Sequence, residues 1–143
     1  MLDHVASLLL VEPDELIAEL TAFRLELLGF RVLTVHRPDD GLREALDREP
    51  DVILLDLRSE DGDAIAMLRA LSDNTRTAGV PVLALSTDAD LHQVERAYRS
   101  GAKDYLVLPY DPAVLERKVR RLLMLRDNRS SANGNRARAA ASG

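Results

Sequence analysis

Five short runs of aliphatic residues alternate along the chain with longer segments in which apolar residues recur every three or four positions. Each run is too short for a helix and ends in polar or turn-forming residues. The pattern predicts five strands, at residues 8–11, 32–35, 52–55, 80–85 and 105–108. Because these strands are apolar on both faces, they indicate a parallel sheet that is covered on each side.

The segments between the runs have helical spacing. The apolar residues of the first segment lie three or four positions apart, at Leu16, Leu20, Phe23 and Leu27. Gly29 supplies a C-terminal stop for this helix, and Asp111 and Pro112 are typical of the N-cap and first turn of the last one. The predicted helices cover residues 15–28, 40–48, 64–71, 91–100 and 112–125.

Strict alternation of strand and helix with short links predicts an α/β fold, a (βα)5 doubly wound parallel sheet of five strands. In such a sheet, functional groups gather at the carboxyl ends of the strands. Residues 126–143 are rich in Ser, Asn, Gly and Ala and have no apolar periodicity. This composition predicts a disordered tail or linker stub after a single domain over residues 7–125.

Composition narrows the classes of function. There is no cysteine, so disulfides and thiolate sites are excluded. The net charge is −5, of which the tail from Asp127 on contributes +2 and residues 1–126 carry −7. An acidic body argues against nucleic acid as a partner of this domain. No apolar run has the length of a membrane helix, so a cytoplasmic protein without a membrane partner is expected.

The residues that could carry chemistry follow the predicted strands directly. They are Glu12, Asp56, Ser86, Thr87 and the Leu108-Pro109 step. Two carboxylates beside a hydroxyl can hold a hard cation such as Mg²⁺ through oxygen ligands. The alternative is that acids follow buried strands only because the chain reaches the surface there.

Other kinds of site lack their usual residues. The three histidines are scattered and form no triad-like arrangement, and the first strand is followed by the acidic segment 12–15 instead of a glycine-rich phosphate loop. An enzyme is therefore not predicted. A small flavodoxin-like enzyme stays a remote alternative, because a fold does not fix a function.

The chain resembles the receiver domains of bacterial response regulators over about residues 7–125. The resemblance rests on the order and spacing of LLLVEPDE, DVILLDL, VPVLALST and GAKDYLVLPYDP. It implies a flavodoxin-like sheet with strand order 2-1-3-4-5 and a role in two-component phosphorelay signalling, with a sensor histidine kinase or another signalling protein as the partner.

The resemblance also implies roles for single residues. Asp56 matches the phosphoacceptor, and Glu12, Asp56 and the backbone carbonyl of Arg58 match the Mg²⁺ ligands. Ser86 matches the hydroxyl switch residue and Tyr105 the switch aromatic. The peptide bond before Pro109 matches one that is usually cis in the family.

Two positions depart from the family site. Pro13 stands where a second acid normally binds Mg²⁺, and it brings no side-chain oxygen, so weakened Mg²⁺ binding is expected. Asp14, one residue further on, is expected to point elsewhere. Leu108 stands where the family has a lysine that contacts the phosphoryl group. Arg58 is near enough to substitute for that lysine, but a solvated surface arginine is the expectation.

Two mechanisms follow from these matches and departures. The favoured one is an atypical receiver with impaired or absent Mg²⁺-dependent phosphorylation of Asp56, which acts through protein–protein interaction. The alternative is a conventional receiver that is switched by phosphorylation of Asp56. Charged residues that match the winged-helix subfamily suggest a homodimer through the fourth helix, fifth strand and fifth helix, or else a solvated charged face: Lys103, Asp104, Lys118 and Arg120.

Overall fold

The computed structural model describes residues 4–58 and 63–126 of the chain. Strands and helices alternate along it in the order β1 (Ser7–Val11), α1 (Glu15–Leu27), β2 (Arg31–Val35), α2 (Pro38–Arg48), β3 (Val52–Asp56), α3 (Asp63–Asp73), β4 (Val82–Ser86), α4 (Leu91–Ser100), β5 (Asp104–Val107) and α5 (112–126). The predicted tail lies outside the described residues, apart from Arg126, which is in α5. No described helix is long and apolar enough to cross a membrane.

The five strands form one parallel sheet in the order β2-β1-β3-β4-β5, which confirms the predicted fold class. β1 lies between β2 and β3, so Leu9 pairs with Leu33 on one side and with Ile53 on the other. The strand order reverses beside β1. The carboxyl ends of β1 and β3, where Glu12 and Asp56 lie, are therefore neighbours.

Successive strand residues point to opposite faces of the sheet and create two apolar cores. Leu9, Val11, Ile53 and Leu55 belong to the core under α2, α3 and α4. Leu8, Leu10, Val52, Leu54, Ala18, Leu25, Leu115, Val119 and Leu122 belong to the core under α1 and α5. This two-sided burial explains why the strands have no polar face.

The apolar stripe that predicts α1 does not face the core. Phe23 is 60% and Leu27 70% exposed, and Leu16 and Leu20 are also exposed. The buried face of α1 consists of Ala18, Thr21 and Leu25. Two of these residues, Ala18 and Thr21, are small and allow the helix to lie close to the sheet, and most of the larger apolar residues of α1 stay on the outside.

Several helix ends lie at glycine and capping residues, which include the predicted Gly29 and Asp111. Gly29 has a φ of +97° and Gly101 a φ of +123°, both in the region where residues with a Cβ are strained. The Asp111 carboxylate accepts a hydrogen bond from the Ala113 N–H at 2.8 Å, as expected of an N-cap. Arg126 anchors the end of α5 through an ion pair with the buried carboxylate of Asp51.

Candidate functional site

Two buried carboxylates lie side by side at the carboxyl end of the sheet. Glu12 follows β1 and Asp56 ends β3, and each residue is 1% exposed. The backbone holds Glu12 in place, since its N–H donates to the Val35 carbonyl and its own carbonyl lies 3.0 Å from His36 Nδ1. Burying two like charges together is unfavourable unless a cation or a proton compensates them.

The compensating cation is the side chain of Arg58. Its Nη2 lies 2.6 Å from Asp56 Oδ2 and 3.1 Å from both carboxylate oxygens of Glu12. Its Nε donates to both Asp56 oxygens at 3.0 Å, and its backbone N–H donates to Asp56 Oδ1 at 2.7 Å. The expectation of a solvated surface arginine is therefore wrong. The reason is that the guanidinium is the nearest cation to two desolvated carboxylates.

The charged groups in this cluster change one another's pKa values. Burial, above all, and the neighbouring Asp56 carboxylate raise the pKa of Glu12 to about 7. Hydrogen bonds to Asp56, together with the negative charge of both carboxylates, raise the pKa of Arg58. The arginine therefore stays charged, and Glu12 takes up a proton near neutral pH.

Pro13 and Asp14 place no further oxygen in the cluster. Pro13 is exposed and has no polar side-chain atom. Asp14 is the N-cap of α1, and its Oδ1 accepts the Ile17 N–H at 3.0 Å. The Asp14 backbone N–H donates to Glu12 Oε2 at 3.1 Å. In the described part of the chain, no three His, Asp or Glu side chains are grouped so that they could hold a metal ion.

The hydroxyl side of the site is built by β4 and β5. Ser86 is buried at the end of β4, and its Oγ accepts the Asp88 N–H at 3.1 Å. Tyr105 is buried on β5 and donates its hydroxyl to the Asp88 carbonyl at 2.7 Å. Burial raises the pKa of Tyr105, which keeps this hydroxyl protonated as a donor. Ser86 and Tyr105 thus hold the same turn before α4.

Leu108 stands at the position where the family resemblance implies a lysine, and its side chain makes apolar contacts instead. It is buried in the core under α1 and α5, and the peptide bond to Pro109 is cis. Leu108 and Arg58 both line a cavity of about 410 Å³ between α1 and the segment that follows β5. Thr21 and Tyr110 also line this cavity, and Thr21 Oγ1 and Tyr110 Oη are 2.5 Å apart.

The four residues suggested for a dimer have different surroundings within the chain, and the dimer stays a prediction. Asp104 and Lys118 make an ion pair within the chain at 2.8 Å. Arg120 lies over the ring of Phe30, 5.1 Å from its centre, and pairs with Glu116 on its own helix. Lys103 is exposed just before β5, and Arg120 is exposed on α5.

A family comparison identifies this arrangement. The model of the response regulator receiver domain matches residues 8–120. The chain belongs to this family. Receiver domains are signalling modules of two-component response regulators. In this chain the acidic cluster at Asp56 lies at the carboxyl end of the sheet.

Sequence relatives of this receiver domain are transcriptional regulators. The DNA-binding dual master transcriptional regulator RpaA of Synechocystis is 32% identical over 84% of the chain and 50% of its own length. The transcriptional regulatory protein CseB of Streptomyces avermitilis is 36% identical over 80% of the chain and 48% of its own length. The chain thus spans about half the length of the curated relatives that it matches.

Solved structures confirm the receiver fold. A putative response regulator from Chloroflexus aurantiacus superimposes with a TM-score of 0.80 at 24% identity, covering 85% of this chain and 99% of that one. The receiver domain of a sensor histidine kinase from Pseudomonas aeruginosa, which has a magnesium ion in its active-site cleft, gives a TM-score of 0.77 at 28% identity and covers 84% and 98% of the two chains.

The inward orientation of the Arg58 side chain is the feature of this site that was not predicted from the sequence. One signal for it existed, because Arg58 follows Asp56 by two residues and Leu108 stands where the resemblance implies a lysine. The roles that the resemblance assigns to Glu12, Asp56, Ser86 and Tyr105 remain predictions. The first three residues do lie at the carboxyl ends of neighbouring strands, whereas Tyr105 lies within β5.

Proposed function

We propose that this receiver domain is atypical, with impaired or absent Mg²⁺-dependent phosphorylation of Asp56, and that it acts through protein–protein interaction. The observation that carries the proposal is the guanidinium of Arg58, which hydrogen-bonds to Asp56 and Glu12 at once. A cation must displace this group to reach the carboxylates, and a phosphoryl donor must displace it to reach Asp56 Oδ2.

The residues around Asp56 do not fit a magnesium ion in this arrangement. The two available carboxylates already share a guanidinium, and Pro13 offers no oxygen. Mg²⁺ requires near-ideal octahedral oxygen ligands and gives up its water reluctantly. The magnesium ion in the Pseudomonas receiver domain is an observation on that protein alone. For this chain we infer weak Mg²⁺ binding.

The surroundings of Asp56 would also stabilise a phosphoryl group poorly. Leu108 places a hydrocarbon side chain at the position of the family's lysine, so one of the charges that would neutralise the phosphoryl oxygens is replaced by apolar surface. Among the described residues, Arg58 and Arg24 are the two cations that line the cavity beside Leu108. Arg58, which lies against Asp56, is already paired twice.

A conventional phosphoaccepting receiver is the second candidate. One support for it is that Asp56, Ser86 and Tyr105, which match the phosphoacceptor and the two switch residues of the family, are all present and buried. The other is that the Arg58 side chain is 34% exposed, so it can rotate towards solvent without unfolding the domain. In this candidate, Arg58 leaves Asp56 when the donor arrives. The two candidates make opposite predictions for the wild-type chain.

Labelling with acetyl phosphate and Mg²⁺, followed by intact mass spectrometry, separates the candidates. We expect the wild type to behave like Asp56→Asn. The triple variant Pro13→Asp, Arg58→Ser, Leu108→Lys should be labelled at least about tenfold faster than the wild type, because it restores both missing groups and opens the pocket. Arg76→Ser, which removes an exposed arginine elsewhere, is the matched control and should change nothing.

The opposite result would support the conventional receiver. If wild-type Asp56 is labelled efficiently in a Mg²⁺-dependent manner, the atypical mechanism is wrong. Nuclear magnetic resonance spectra recorded with beryllofluoride provide an independent check, since binding at Asp56 should shift the signals of residues next to Ser86 and Tyr105.

The proposed partners are proteins, such as a sensor histidine kinase or another signalling protein. DNA binding is named for the Synechocystis relative, of which this chain matches only half. The charge of −7 on residues 1–126 favours a protein partner over nucleic acid for this domain.

A further inference from the structure

Charge is distributed very unevenly along the chain. Residues 1–90 hold eight Lys or Arg against nineteen Asp or Glu, a net charge of −11. Residues 91–126 hold eight against four, a net charge of +4. The segment with positive charge forms α4, β5 and α5, so one edge of the sheet is basic while the rest of the domain is acidic.

The basic edge carries a surface that we call the β5-edge face, formed by Tyr98, Lys103, Val107, Arg117 and Arg121. All five side chains are exposed, and Tyr98 is 45% exposed. Asp104 lies beneath this face and is satisfied within the chain by Lys118 and by the Tyr98 hydroxyl. In the described part of the chain, the three cations of this face, Lys103, Arg117 and Arg121, form no ion pair.

A surface of opposite charge lies on the first helix. We call it the outer face of α1, and it consists of Leu16, Leu20, Phe23 and Leu27 with a flanking row of carboxylates, Glu15, Glu19 and Glu26. The carboxylates and Phe23 line a groove between α1 and β2, beside Thr34 and His36. None of the three glutamates makes an ion pair with another described residue.

The two faces match in chemistry and lie towards opposite edges of the sheet, although α1 and α5 cover the same side of it. Each combines three unpaired charges of one sign with exposed apolar side chains. β2 and β5 are the two edges of a five-stranded sheet, about 19 Å apart at the usual strand spacing. Among the described residues no ion pair joins the two faces within the chain, and a second copy can bring them together.

We propose that the β5-edge face of one copy binds the outer face of α1 of a second copy. The exposed leucines and Phe23 pack against Tyr98 and Val107, and the glutamates pair with Lys103, Arg117 and Arg121. Such a contact is heterologous, so each bound copy leaves one face free and the assembly can grow beyond a dimer. This inference does not depend on whether Asp56 is phosphorylated.

The same charges disfavour a symmetric dimer through α4, β5 and α5. A two-fold interface places one surface against itself, so the cations Lys103, Arg117 and Arg121 of both copies would be gathered in one interface. Like charges brought together in an interface repel, and their removal from water adds to the cost. Asp104 cannot compensate them fully, since Lys118 already pairs with it.

Sedimentation velocity of the whole chain over a range of concentrations tests the proposal. The average mass of the wild type should keep rising with concentration without a plateau at the dimer. Raising the salt from about 0.05 M to about 0.5 M should weaken association at least about tenfold. Arg117→Ser with Arg121→Ser, or Phe23→Ser with Leu27→Ser, should each abolish growth.

A mixture of these two double variants gives the sharpest result. Each variant keeps one intact face, so the mixture should form a one-to-one complex that cannot grow, although neither variant associates alone. Arg31→Ser with Arg69→Ser controls for lost charge, and Met124→Ser with Leu125→Ser controls for lost exposed apolar surface; both should associate like the wild type. Unfolding in urea confirms that every variant is folded.

Three outcomes would overturn the proposal. The first is a wild type that stays monomeric at every concentration. The second is a wild type that stops at a dimer and is unaffected by Phe23→Ser with Leu27→Ser, which would indicate a symmetric dimer through the β5 edge. The third is a monomer that binds mixed-sequence duplex DNA through Arg117 and Arg121, which would assign the β5-edge face to nucleic acid.

Discussion

The buried carboxylate of Glu12 should make folding stability depend on pH in a defined window. Its pKa is raised from 4.5 to about 7, mainly by burial and also by the adjacent Asp56. Between these two values, the folded chain keeps a proton that the unfolded chain releases. The folded state therefore binds more protons, and the free energy of unfolding must fall as the pH rises through the window.

The size of this effect follows from the same shift. One pKa unit corresponds to about 1.4 kcal/mol, so the raised pKa of Glu12 accounts for a loss of about 3 kcal/mol between pH 4.5 and 7. The contribution of Glu12 to stability is most favourable below pH 4.5 and is lost progressively up to about pH 7. Glu12 is 1% exposed, so solvent screens this effect little.

Urea unfolding at several pH values, followed by circular dichroism, measures this dependence. Glu12→Gln keeps the shape of the side chain and cannot ionise, so its stability should fall less than that of the wild type by about 2–3 kcal/mol across the window. Glu19→Gln removes an exposed carboxylate of α1 and should keep the wild-type slope. Parallel curves for the wild type and Glu12→Gln would refute the reasoning.

Three further predictions concern packing and anchoring, each measured by chemical unfolding. Leu25→Ala should cost about 2–5 kcal/mol because Leu25 is fully buried, whereas Leu27→Ala, at a 70% exposed position, should cost less than about 0.5 kcal/mol. Gly41→Ala should cost about 1–3 kcal/mol, since its Cβ would lie 2.7 Å from a methyl group of Val11, whereas Gly79→Ala meets nothing within 4 Å and should be tolerated. Asp51→Asn should cost about 1–3 kcal/mol because Asp51 accepts the Ser7 N–H at 2.7 Å and pairs with Arg126. A cost below about 0.5 kcal/mol for Leu25→Ala, Gly41→Ala or Asp51→Asn would contradict the packing or ion pair assigned to that residue.

The fold could be predicted because its signals are local. A run of apolar residues on both faces identifies a strand of a covered parallel sheet, and the glycines and caps fix the helix ends. The predicted and observed elements differ at their first and last residues. The fourth strand begins at Val82 instead of residue 80, because Pro81 has no N–H for the ladder, and α2 begins at Pro38 instead of residue 40, because its first turn is polar.

The positions of the site residues could also be predicted, because carboxyl ends of adjacent parallel strands must meet. Glu12, Asp56 and Ser86 lie at the ends of three strands that are consecutive in the sheet. The direction in which each side chain points could not be predicted from the strand ends. The orientation of Arg58 depends on Glu12, which is 46 residues away along the chain and is brought beside it only by the pairing of β1 with β3.

The sequence by itself therefore determined the order and type of the elements and the strand ends at which the polar groups lie. Hydrophobic period, turn residues and caps are properties of neighbouring residues, and they act before the chain is compact. Tertiary structure decided that α1 buries Ala18 and Leu25 and exposes Phe23, and that Arg58 enters the acidic pocket. These choices depend on the space and charge that distant segments supply, and a local pattern contains neither.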